Sequence, residues 1–141
     1  MSASNVAIVR GLFEAFDSGD ALGLVGPLNP DLVFHGREDE PDAGVHEGVA
    51  AVTELFAGWL ETFPDLSLDQ KTFRDEGDDW VVASFLLRGR GGASGAEVAE
   101  RYSWALRLHA GKLVEVREFR TEEEACRAIA LQRDGLAPTP P

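Results

Sequence analysis

Cysteine is almost absent: of 141 residues only Cys126 carries a thiol, so no internal disulfide can form. No second Cys stands near it, and neither His35 nor His46 pairs with Cys, Asp or another His at a metal-ligand spacing. No metal is therefore expected, and Cys126 reads as a half-buried helix residue. Long apolar runs are also missing. The longest, Trp80 to Ala83 and Phe85 to Leu87, are far too short to cross a bilayer. The opening residues carry no basic region followed by an apolar stretch, and a cytoplasmic protein is expected. Basic residues are scarce, 13 against 25 acidic ones, giving a formal net charge of −12. Most of such a surface repels a phosphate backbone or an anionic membrane, so neither nucleic acid nor membrane is expected as a partner. There is no Gly-x-Ser-x-Gly string, and no Lys-Ser or Lys-Thr follows the glycines of 89–95, which leaves nucleophilic catalysis and a phosphate-cradling loop without support.

What is present is enough for one core. Hydrophobic residues make up 44% of the chain, which suits a single domain over 1–141, ordered from about 4 to 133 and frayed through the Pro-Thr-Pro-Pro tail. Val6, Val9, Leu12, Phe13 and Phe16 recur at helical spacing after a Ser4 cap, and Ser18-Gly19-Asp20 stops that helix and caps a short one through Leu24 and Val25. Gly26-Pro27 and Asn29-Pro30 break the pattern before a short strand, Leu32 to His35. Residues 36–47, rich in Gly, Asp, Glu and Pro, read as a long mobile rim loop. From Gly48 a third helix carries Val49, Val52, Leu55, Phe56, Trp59 and Phe63 to a stop at Pro64-Asp65. Strand patterns follow at Leu66–Phe73, Asp79–Arg90, Val98–His109 and Lys112–Arg120, with hairpins at Gly77-Asp78 and Ala110-Gly111. The glycines of 89–95 suit a bend or bulge in a curved sheet. Thr121 caps a closing helix, Glu122 to about Arg133, with three glutamates in its first turn. Helices, then strands, then a helix give an α+β order in which helices cover one face of an antiparallel sheet.

Four strings in this order, "VRGLFEAFDSGD", "FPDLSLD", "GRGGASGAEV" before a Tyr-x-Trp strand, and "GKLVEVREFRTEEEACRAI", resemble the SnoaL-like polyketide cyclase family of the nuclear transport factor 2-like, cystatin-like superfamily. The resemblance covers nearly the whole chain. It implies a strongly curved, mixed-order sheet wrapped around helices as a cone with an internal pocket. Members include polyketide cyclases, relatives of steroid isomerases and epoxide hydrolases, and proteins without known activity, so the fold alone does not fix a function. Similar cyclases use a carboxylate on the last strand as general acid and base. By resemblance Glu118 falls closest to that position, and Trp104 stands where a histidine is usual.

Register decides which side chains share the pocket. A two-residue turn at Ala110-Gly111 pairs Trp104 with Arg117, whereas a bulge brings Trp104 opposite Glu118. On an apolar concave face, burial would raise the Glu118 pKa toward the range useful for proton transfer and a neighbouring arginine would lower it; on a sheet margin it is an ordinary ion-paired glutamate. Arg88, Arg90, Arg107 and Arg117 sit in strand patterns where they either face inward, to fix a ligand oxygen, or pair with Glu97, Glu100 or Glu115 on the outer face. His35 at a strand end suits acid–base work or simple solvation. Tyr102 offers a hydroxyl to a developing oxyanion, or a wall, and Trp59, Phe63 and Trp104 supply broad apolar surface.

Two functions remain. One is cofactor-independent cyclase, isomerase or hydrolase chemistry on a small apolar oxygenated molecule, with Glu118, His35 and Tyr102 as catalytic residues. The other is non-catalytic binding of a small molecule or of a protein partner. A homodimer through the outer sheet face is expected.

Overall fold

The computed structural model describes residues 2–37, 44–90, 95 and 97–133. Residues 91–94 of the bend expected over 89–95, residues 38–43 of the expected rim loop, and the expected frayed tail from 134 lie outside the described residues. Helix α1 spans Ser2–Ser18, starting ahead of the expected Ser4 cap, and α2 spans Ala21–Val25. Asp20 caps α2 by accepting the Gly23 N–H at 3.0 Å. Strand β1 runs Leu28–Gly36, β2 Gly44–Glu47, α3 Val49–Thr62, β3 Ser67–Gly77, β4 Trp80–Arg90, β5 Glu97–His109, β6 Lys112–Phe119 and α4 Glu122–Arg133.

The six strands form one curved, unclosed sheet in the order β2-β1-β6-β5-β4-β3. Three features differ from the sequence reading. The end of the expected rim loop is a strand: β2 pairs with β1, Phe34 opposite His46, a ladder that charge-rich local composition conceals because its partner supplies the burial. β1 lies parallel to β6 while the other pairs are antiparallel, so the Asn29-Pro30 interruption becomes an irregularity within β1 and not its boundary. Finally, α4 lies on the face opposite α1 and α3.

Two cores follow from strand alternation. On the inner face Phe34, Ala83, Phe85, Leu106 and Val116 pack with Val9, Leu12 and Phe13 of α1 and Val52 of α3. On the outer face Trp80, Val82 and Ala105 meet Ala125 and Ile129 of α4. Thr121 Oγ accepts the Glu124 N–H at 3.1 Å while Glu124 Oε1 accepts the Thr121 N–H at 3.1 Å, a reciprocal box that starts α4.

Bulges set the curvature. Between Asp69 and Thr72, β3 carries one residue more than β4, with Gln70 at φ 52°. In β6 the pairs Arg107–Glu115 and Leu108–Leu113 leave Val114 extra. The hairpin after β3 turns on Asp78-Asp79, one residue later than expected, and that after β5 on Ala110-Gly111; all four have positive φ, as tight hairpins between twisted strands require.

Candidate functional site

A cavity of about 250 Å³ lies between the inner sheet face and the first three helices. Phe13 and Phe16 of α1, Phe56 and Trp59 of α3, Phe85 of β4 and Trp104 of β5 give it an aromatic wall, completed by leucines from every layer. Its mouth lies between α2 and α3, where half-exposed Val25 and Leu60 belong to the lining. Helical spacing explains α3: Val52, Phe56, Trp59 and Leu60 recur at intervals of three and four and share one face. Of the anticipated wall residues, Trp59 and Trp104 line the cavity and Phe63 does not. Phe63 ends α3 and covers Gly89 instead: a Cβ there would come within 2.9 Å of the Phe63 Cβ, so only glycine permits that approach.

The bulge at Val114 brings Trp104 opposite Glu118. Glu118 is buried on the inner face. Its Oε2 accepts the Trp104 indole N–H at 2.8 Å, and its Oε1 accepts the Arg37 backbone N–H at 3.2 Å. The Arg37 guanidinium, also buried, lies 4.7 Å from the Tyr102 ring centre, donates to the Arg101 carbonyl at 3.4 Å and reaches Glu100 at 3.7 Å. Glu118 and Tyr102 are not part of the cavity lining; Trp104 is. The Trp104 indole therefore borders the apolar hollow and, through its N–H, bonds a polar group made of Glu118, Arg37 and Tyr102. Phe56 lies nearly parallel to that ring at 6.1 Å, and Phe34 and Phe85 meet it edge-on at 5.6 and 5.0 Å.

The other expected site residues lie elsewhere. Val33 and Arg107 pair with Glu115, and His35 and Ala105 pair with Arg117, which places all of them on the outer face. There Glu115, 6% exposed, receives Arg117 Nε at 2.6 Å and Arg107 Nε at 3.1 Å, with His35 Nε2 at 3.4 Å. Burial alone would raise the Glu115 pKa; the contacts from His35, Arg117 and Arg107 outweigh it and bring it down to about 2. Arg88 is exposed and 3.6 Å from Asp69. His35, Arg107, Arg117 and Arg88 thus share no site with Glu118. The one-residue shift at Val114 reverses the faces that unbroken alternation from the Ala110-Gly111 turn assigns to residues 115–118. Arg37 and Phe85 are the participants that local pattern overlooked, Arg37 because it follows the last strand residue in an acidic stretch.

Burial pushes the Cys126 thiol up to about 11, with Glu76 adding to the effect, so it is no thiolate at neutral pH. Among the described residues no cluster of three or more His, Cys, Asp or Glu side chains is placed to hold a metal, and no helix is long and apolar enough to cross a membrane.

The SnoaL-like domain family matches residues 9–116 of this sequence. The chain belongs to that family. Solved structures agree with a SnoaL-like fold. A nuclear transport factor 2-like protein of Burkholderia xenovorans LB400 is 25% identical with a TM-score of 0.74, over 91% of this chain and 97% of its own. AclR of Streptomyces galilaeus, provisionally called a hydroxylase, is 24% identical with a TM-score of 0.69, over 100% of this chain and 91% of its own. A Pseudomonas putida KT2440 protein provisionally called a polyketide cyclase is 15% identical with a TM-score of 0.69, over 87% of this chain and 96% of its own. No curated protein matches the sequence.

Proposed function

We propose that this SnoaL-like protein binds a small, largely apolar molecule in the cavity beneath α1 and α3. The observation that carries the reading is the lining: apart from Thr53 on an exposed stretch of α3 and the indole N–H groups of Trp59 and Trp104, every lining side chain is apolar. Trp104 gives its N–H to Glu118, so it brings an aromatic face to the cavity. Apolar cavities of this kind stay dry and take apolar guests; roughly 150 Å³ suffices for benzene, and about 250 Å³ suits a ligand of one or two rings. Titration with the neutral fluorophore N-phenyl-1-naphthylamine tests it. Saturable binding with enhanced emission is expected, weakened at least tenfold by Ala57→Trp, which fills the mouth from an exposed helical position. Equal binding by both proteins would place the fluorophore elsewhere.

A second reading is proton transfer by Glu118 on an oxygenated ring compound. It is favoured by a buried carboxylate one indole away from the cavity, and by the provisional names of the Pseudomonas and Streptomyces relatives. It requires Trp104 to turn aside. Any turnover found should then fall by about 10²-fold or more in Glu118→Gln; unchanged turnover removes Glu118 from the chemistry.

A further inference from the structure

We propose that Glu118 is a positioning residue that restricts the cavity to ligands lacking an anionic head, by holding Trp104 as a fixed wall between the hollow and the polar group behind it. The proposal rests on the binding reading above and names the ligand class that site admits. Its basis is a pair of bonds that Glu118 accepts. A carboxylate offers two acceptor oxygens, and here each has its own N–H: Oε2 takes the Trp104 indole and Oε1 the Arg37 backbone. The two donors come from different strands or strand ends, so one buried side chain fixes both the plane of the indole and the chain leaving β1. Aromatic packing alone leaves an indole free to tilt, because rings tolerate a range of offsets and angles. A charge-assisted bond at its edge removes that freedom.

Two consequences follow for a ligand. With the indole held, the cavity presents a hydrocarbon wall on its inner side, and a polar head placed there loses its hydration without gaining a partner. With the carboxylate removed, one buried and one part-buried N–H donor lose this acceptor and the ring is released. A ligand carboxylate can then occupy the vacated position between the indole and Arg37.

Glutamine cannot stand in for glutamate. It provides one acceptor and one donor group, so either the indole or the Arg37 N–H faces an NH2. Trp104→Phe keeps most of the wall and removes the donor.

The test compares naphthalene with 2-naphthoate, which share a ring system and differ in the head. Affinities are measured by equilibrium dialysis for the wild type, Glu118→Ala and Glu118→Gln. The Trp104 indole N–H is followed by ¹⁵N NMR, its resonance assigned by loss in Trp104→Phe. In the wild type, naphthalene binds, 2-naphthoate binds at least tenfold more weakly, and the indole proton is protected from solvent exchange. Glu118→Ala is expected to narrow the preference at least tenfold and to abolish protection, and added acetate to restore protection. Glu118→Gln, the variant to use if the alanine protein does not melt cooperatively, is expected to narrow the preference and to shift the indole resonance, since a neutral amide replaces the carboxylate beside it. An unchanged preference overturns the proposal. A narrowed preference with the indole still protected also overturns it, since charge alone would then explain the selectivity. A wild type that does not bind naphthalene overturns the binding reading itself, an outcome distinct from the other two.

Discussion

At the scale of single residues, two buried glutamates three positions apart serve opposite faces of one sheet. Glu115 is held among Arg107, Arg117 and His35, and its pKa falls from the usual 4.5 to about 2. Because the folded value lies below the unfolded one, its contribution to stability is fully present above about pH 4.5 and is lost as pH falls toward 2. Glu115→Gln should therefore lower stability by on the order of 2 kcal/mol at pH 7, and the difference from wild type should shrink progressively in urea melts below pH 4.5. A constant difference down to pH 2 would show that packing, not charge, accounts for it. Neither partner set is evident from residue types alone. Glu115, Arg117 and Glu118 follow one another within a charged strand, and a single inserted residue at Val114 decides which of them meets the core.

At the scale of elements, most of the architecture was legible because amphipathic periodicity is strong in α1 and α3 and alternation is clear in β4 and β5. What stayed illegible depends on partners distant in sequence. β2 owes its existence to β1, the parallel β1–β6 pairing joins segments some eighty residues apart, and α4 gives no sign in its own sequence of which sheet face it will cover. The β5–β6 turn carries a correctable imperfection. Ala110 sits at φ 51° ahead of Gly111 at φ 77°, a left-handed conformation that disfavours alanine by roughly 1 kcal/mol and that Asn-Gly accepts readily. Ala110→Asn is expected to stabilise the protein by about 0.5–1 kcal/mol, raising the melting temperature by about 2–4 °C. An unchanged or lower melting temperature would contradict that account of the turn.

At the scale of the whole molecule, the curved sheet and its inner helices leave their facing side chains unable to fill the space they enclose. A hollow is what the family resemblance implies, and Trp59 and Trp104 lie along the cavity between the inner sheet face and α3. The sequence leaves open which charged residues of β6 share that face, because they divide between the two faces only once the register is fixed. The account stands on an apolar void inside this fold that accepts a small guest. A crystal pressurised with xenon tests it most directly. Anomalous density is predicted among Phe13, Phe56, Phe85 and Trp104, with no comparable peak in the outer-face core beneath α4. Crystals that take up xenon nowhere between the inner sheet face and α3, or that show side chains collapsed into that space, would contradict it.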